Sequence, residues 1–302
     1  MSLRLAFTFA LSIAVPAAQA DTLRTLASFP SGTFLENLAE GPNDTLLVTS
    51  YLDRTVLSWD GTTPPVPLAN LDVHPVGIVV RNDLIVLSVH GQAFTTGPAF
   101  TSTNAFVILA PDGTLTNSIP APEALFLNGL VEVAPGLILA ADSLAGRIWQ
   151  LDIASGTVTE WLADPLLSPD PAAADQRPGA NGLKVHDGWL YVSNSSRGAL
   201  FRVALRGARP EGSLEVFAQT GPVDDFAFLL DGTIAATSHG ASLIGVDSSG
   251  AVSTLVATGC DGCTSVLPFG KEGELVILTT GNLLEGGTDP ARILSIASPV
   301  AD

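Results

Sequence analysis

Short apolar runs, many of them alternating with polar positions, recur along the whole chain and are separated by turns rich in Gly, Asp and Asn. The runs share a grammar. A polar residue opens an apolar stretch, a tight turn follows, and two further β-rich runs come before the pattern restarts. Clear copies open at Glu36, Asn128, Asn181 and Asp224, and looser ones at Gly77 and Ser265, so the openings lie 41 to 53 residues apart. Fourth runs such as VTEWLA, LEVFAQ and VSTLVA complete each unit. Six four-stranded antiparallel units predict an all-β, six-bladed β-propeller over residues 21–302. The N-terminal LRTLASF resembles a fourth run with no unit before it, and is expected to add the outer strand of the last blade and close the ring. Closure hides sheet edges that six separate sheets would expose. A β-sandwich also has short strands, but it predicts no common period.

In a propeller the innermost strands line a central channel, so the residues that open them converge near one end of the axis. Register supports this convergence: Glu36 precedes Asp44, Asn128 precedes Gly136 and Asp224 precedes Gly232 by eight residues each, and Asn181 precedes Gly188 by seven. Four openings, Glu36, Asn128, Asn181 and Asp224, carry carboxylate or amide oxygens, whereas Gly77 and Ser265 do not. Two carboxylates sharing a channel repel each other and lose hydration, a penalty that a bound cation removes. An all-oxygen donor set predicts one divalent cation, Ca²⁺ first, with Mn²⁺, Mg²⁺ or Zn²⁺ as alternatives. The competing expectation is that these groups cap strands or bind water.

Second strands return toward the same mouth, and their ends read Thr49-Ser50-Tyr51, Ser88-Val89-His90, Asp142-Ser143, Ser193-Asn194-Ser195, Ser238-His239 and Thr280. The mouth is therefore expected to be hydroxyl-rich, with Tyr51, Asn128, Asp142 and Asn194 as substrate contacts. A carbonyl polarised by a cation and attacked by water needs a base. His90 and His239 are candidates, Asp224, Asp225 and Asp142 compete, and His74 and His186 read as loop residues. No serine sits in a G-x-S-x-G elbow, which argues against a serine nucleophile. Insertions at Gly91 to Thr103, Pro165 to Gly179 and Asn282 to Pro290 are expected to roof the mouth or serve as docking loops.

Composition narrows the classes. With 13 Lys and Arg against 30 Asp and Glu, a net charge of −17 disfavours nucleic acid and anionic membrane surfaces as partners. Residues 1–20 carry Arg4, an apolar run from Leu5 to Val15 and a small-residue ending at Ala18-Gln19-Ala20, the layout of a secretory signal peptide. That run is too short to span a bilayer, so an exported protein, periplasmic or extracellular and with no membrane span, is expected. Cys260 and Cys263 are the only cysteines. In an exported chain they read as a short-range disulfide rather than a redox pair or half a zinc site.

FLENLA, FLNGLVEV with LAADS, GANGLKV with YVSNS, and VDDFAF carry a further signal. Through them the chain resembles the family of senescence marker protein, gluconolactonase and related lactonases, six-bladed propellers with one divalent metal in the channel. The resemblance implies a divalent-metal-dependent hydrolase acting on a small lactone or similar ester. It makes Glu36, Asn181 and Asp224 metal ligands, Asn128 a ligand or substrate contact, and sets Asp225 where the more distant paraoxonases have an Asn. The chain departs from the family in reading ENLA where EGP-type residues are usual, and Asp-Asp-Phe where Asp-Gly is. Two rivals remain: a non-hydrolytic enzyme like the strictosidine-synthase propellers, which use an acidic side chain and no metal, and a non-catalytic binding propeller.

Overall fold

Six antiparallel four-stranded sheets radiate from a common axis in a computed structural model that describes residues 23–81, 84–94, 103–173, 177–270 and 274–297. Residues 1–20, where the signal peptide is expected, lie outside the described residues. The inner strands are Leu35–Glu40, His74–Arg81, Leu127–Ala134, Ala180–His186, Phe226–Phe228 and Cys263–Phe269. The expected closure occurs: strand Arg24–Ser31 pairs antiparallel with Pro290–Ile296, so the sixth blade is built from both ends of the described chain. No helix among the described residues is long and apolar enough to cross a membrane.

Alternation along these strands matters because each blade is covered on both faces by its neighbours. Each of the six blade-to-blade interfaces accordingly has its own apolar core. Between blades two and three, for example, Val79, Val86, Phe106 and Ile108 pack against Leu130, Ile138, Ala140 and Trp149. A seventh cluster, Phe34 and Tyr51 of blade one and Val76 of blade two with Phe94 and Leu283 against it, caps the seam between those blades at the mouth.

Polar staples tie neighbouring inner strands near the axis. Thr49 donates to the Val76 carbonyl, Ser88 to Asn128, Ser193 to Asp224, Thr237 to Thr264 and Thr264 to Leu35, all at 2.6 to 2.8 Å. These bonds need close approach. A Cβ on Gly129 would stand 2.6 Å from the Asn181 carbonyl oxygen, so the Asn-Gly pair lets one inner strand press on the next.

Candidate functional site

Extended backbone puts alternate side chains on one face, and at each strand opening that face looks into the axial channel. Glu36, Asn128, Asn181 and Asp224 thereby reach one cavity of about 750 Å³ from blades one, three, four and five. Blades two and six contribute no donor: Gly77 has no side chain, and Ser265 bonds Asp225 at 2.6 Å. All four floor residues are nearly enclosed, between 3% exposure for Asn128, Asn181 and Asp224 and an intermediate value for Glu36.

Burial holds the Glu36 carboxyl well above the usual carboxylate range, and the charges of Asp224 and Asp225 add to the effect. Burial likewise raises Asp224, opposed by His239 and by the Asn181 amide that donates to its Oδ1. Glu36 Oε2 has no hydrogen-bond partner. Asp224 Oδ2 has the His239 Nε2 at 2.9 Å but no hydrogen-bond donor aligned on it, and His239 Nδ1 is likewise buried and unbonded. Such orphaned groups are costly in a folded interior. Two of them are carboxyl oxygens on one cavity floor, and the neighbouring side chains offer amide oxygens. That chemistry fits a hard divalent cation. Among the described residues no three His, Cys, Asp or Glu side chains gather as a metal cluster, since amides supply half of this set.

Several residues expected at the mouth lie elsewhere. His90 is fully buried and does not line the cavity: its Nε2 donates to the Leu127 carbonyl at 2.8 Å, so Nδ1 accepts from the Tyr51 hydroxyl at 3.0 Å. Burial pulls its pKa down to about 4. Asp142 is also off the cavity, accepting from the Leu125, Phe126 and Ala145 backbone and from Trp149 Nε1 at 2.8 to 3.0 Å. Asn194 donates to the Leu166, Leu167 and Ser168 carbonyls and accepts from Arg197 N. Each is a final residue of a second strand that pairs with the first residue of its inner strand, so it braces loops. Asp225 points away too, held by Lys184 Nζ and Ser265 Oγ, both at 2.6 Å. Of the second-strand ends expected there, Tyr51, Ser143 and His239 reach the cavity.

The mouth is also less hydroxylic than expected. Ser143 donates to the Ala180 carbonyl and Ser195 to Val223, both at 2.7 Å. Its walls are instead aromatic on one side, with Phe34, Tyr51, Phe94 and Phe126, and built from the Pro165 to Gly179 insertion on the other. Phe34 and Phe126 stand two residues before Glu36 and Asn128, on the same strand face, so the signal was the repeated F-L-E and F-L-N. In blade four that position is Gly179, where a Cβ would stand 2.4 Å from the Leu167 carbonyl oxygen, and the insertion fills the space. The third insertion adds Leu284 and Glu285 to the lining, and the first adds Phe94, with residues 95–102 outside the described ones.

His239 is set by its surroundings. Its backbone is left-handed, φ 56°, and its N–H donates to the Cys263 carbonyl at 2.8 Å. Cys263 is bridged to Cys260, and the Cys260, Gly262 and Cys263 amides bond the Ala241 and Gly240 carbonyls. The bridged turn therefore braces the loop that carries His239.

No protein-family model matches the chain, and no curated protein matches its sequence. Solved structures do match. A luciferin-regenerating enzyme superposes with a TM-score of 0.70 at 13% identity, over 93% of this chain and 97% of that one. A gluconolactonase from Xanthomonas campestris gives 0.67 at 19%, over 91% and 89%, and a calcium-binding regucalcin from Agrobacterium tumefaciens 0.64 at 14%, over 93% and 96%. At these identities the likeness is one of fold.

Proposed function

We propose that the chain is a divalent-metal-dependent hydrolase that opens a lactone or similar ester. The observation that carries this reading is the convergence of Glu36, Asn128, Asn181 and Asp224 on one cavity floor, with Glu36 Oε2 and Asp224 Oδ2 lacking hydrogen bonds. These four side chains would hold the cation, Ca²⁺ suiting them best. When bound, the cation supplies Lewis-acid polarisation of the substrate carbonyl.

His239 is the base in this scheme. It is the only histidine on the cavity, and its Nε2 faces Asp224, which leaves Nδ1 to accept a proton from the attacking water. The new carbon–oxygen bond forms as the ring or ester carbon–oxygen bond breaks. His239 then returns the proton to the departing alkoxide. His90 is excluded from this role because both its ring nitrogens are engaged in the interior. Export rests on the leader-like sequence of residues 1–20, and N-terminal sequencing of the mature protein tests it.

Turnover of a panel of aldonolactones and acyl lactones with Ca²⁺, Mn²⁺ and Zn²⁺, before and after chelation, tests the proposal. Metal-restored hydrolysis supports it. A binding propeller would give cation-independent behaviour and no hydrolysis of any of them. Asn181→Ala and Asp224→Ala should each abolish cation binding in a folded β-protein; wild-type affinity in both overturns the ligand set.

A further inference from the structure

Six apolar clusters among the described residues each fill an interface between blades, and the seventh, which joins blades one and two, differs in reaching the cavity. Its rings are mutually packed: Phe34 stands edge-on to Phe94 at 5.6 Å and to Tyr51 at 6.0 Å, and Tyr51 lies tilted on Phe94 at 5.1 Å. All three rings border the cavity that holds the donor floor; Phe94 is partly exposed there, and Phe34 and Tyr51, at 2% and 1% exposure, back it. Two of the few large apolar side chains exposed on this protein, Leu144 at 43% and Leu284 at 48%, line the same cavity. Exposed apolar side chains gathered around a concave site mark a ligand surface.

The polar groups of the cavity point the same way. A polyol substrate needs donors and acceptors along its length, but of the hydroxyls lining the cavity Ser143 spends its proton on the Ala180 carbonyl and Tyr51 spends its own on His90, which leaves that of Ser196. With a divalent cation offsetting Glu36 and Asp224, the charged lining that remains among the described residues is Asp170 and Glu285 against Arg177, a balance that does not attract an anionic substituent. The volume of about 750 Å³ also leaves far more room than a bare lactone ring fills.

We infer that the site takes a neutral lactone or ester bearing a bulky apolar substituent, which lies against Phe94 and Leu284, with Phe34 and Tyr51 packed behind Phe94, while the carbonyl faces the four oxygen donors. This deepens the hydrolase reading and rests on it for the carbonyl chemistry alone. The ring wall selects by the desolvation of the substituent, and it discriminates against sugar-derived lactones of the same ring size.

The test compares γ-phenyl-γ-butyrolactone, γ-butyrolactone and glucono-δ-lactone by kcat/KM in the Ca²⁺-loaded protein. Calorimetric titration with γ-phenyl-γ-butyrolactam and its unsubstituted lactam provides a second arm that needs no turnover. We expect the phenyl compounds to be preferred roughly tenfold or more in both arms, and Phe94→Ala to reduce that preference about tenfold. Leu284→Ala, at a half-exposed position where folding is not at stake, should reduce it in the same direction. Equal affinity for the two lactams, or turnover of glucono-δ-lactone at or above that of the phenyl lactone, overturns the inference while leaving the hydrolase reading intact. Absence of all turnover together with Phe94-dependent binding of the phenyl lactam has the opposite meaning: the hydrolase reading fails and the substituent assignment stands.

Discussion

Ser143 Oγ donates its one proton to the Ala180 carbonyl at 2.7 Å, and so can only accept from Asn128 Nδ2, which lies 3.2 Å away. The amide cannot turn over without losing this bond, and its Oδ1 is the atom left for the cavity. Ser195 stands in the same relation to Asn181, donating to the Val223 carbonyl at 2.7 Å and accepting from Nδ2 at 3.3 Å. In blades three and four a serine just past the second strand thus helps to fix which amide atom faces the cavity, and for Asn181 the Asp224 carboxylate acts with it.

Removing that constraint should loosen the donor set without unfolding the ring. Ser195→Ala is expected to weaken Ca²⁺ binding roughly tenfold or more, as loss of an outer-shell partner commonly does. Calorimetric Ca²⁺ titration checks this, and Ser195→Thr, which keeps the hydroxyl, should restore most of the affinity. Equal affinity in the alanine variant would show that the amides orient themselves unaided.

Glu36 costs the cation-free protein stability. Its carboxyl titrates well above the ordinary range when folded, so through that window the native state binds more protons than the unfolded state. The contribution is present at acidic pH and is lost as pH rises. Glu36→Gln should therefore raise the thermal midpoint of chelated protein at neutral pH by about 3 °C or more, while abolishing the further rise that Ca²⁺ brings to wild type. Thermal scans with and without chelator measure both effects.

His90 works in the opposite direction. Its pKa falls from 6.5 to about 4 on folding, so the unfolded chain takes up a proton first as pH drops. The stability it provides is complete above about 6.5 and is lost as pH falls toward 4. The destabilisation caused by His90→Gln, measured by urea unfolding, should thus shrink by roughly 2 kcal/mol between pH 7 and pH 5. A pH-independent difference would mean that His90 is not held neutral.

Breaking the Cys260–Cys263 bridge should act on catalysis more than on the cation. The bridged turn receives the His239 N–H and holds the adjoining loop, but none of its residues is a floor donor. For Cys260→Ser with Cys263→Ser we expect a stability loss of about 2 kcal/mol or less, because the closed loop is short. kcat should fall at least tenfold while Ca²⁺ affinity stays within about threefold. Parallel loss of both would place the bridge in the binding of the cation.

Much of this was legible in the chain itself. The recurrence of Glu36, Asn128, Asn181 and Asp224 at matching distances from their turns marked the side chains that meet at the hub, because a strand opening is a local event and the ring repeats it. The LRTLASF run likewise announced the closing strand. Local pattern failed at the last residues of the second strands, where His90, Asp142 and Asn194 were expected in the mouth and instead bond the surrounding backbone.

The sequence by itself determined the all-β repeat, the blade count and which strand-opening side chains meet at the hub, since alternation and turn chemistry act within a few residues of each position. Only the tertiary structure decided which second-strand residue faces the cavity, that Asp225 answers to Lys184 rather than to the floor, and that aromatic rings line one wall. Those outcomes depend on the facing blade: a one-residue step along a pleated strand reverses the side chain, and the neighbour's carbonyls and insertions determine which direction has partners.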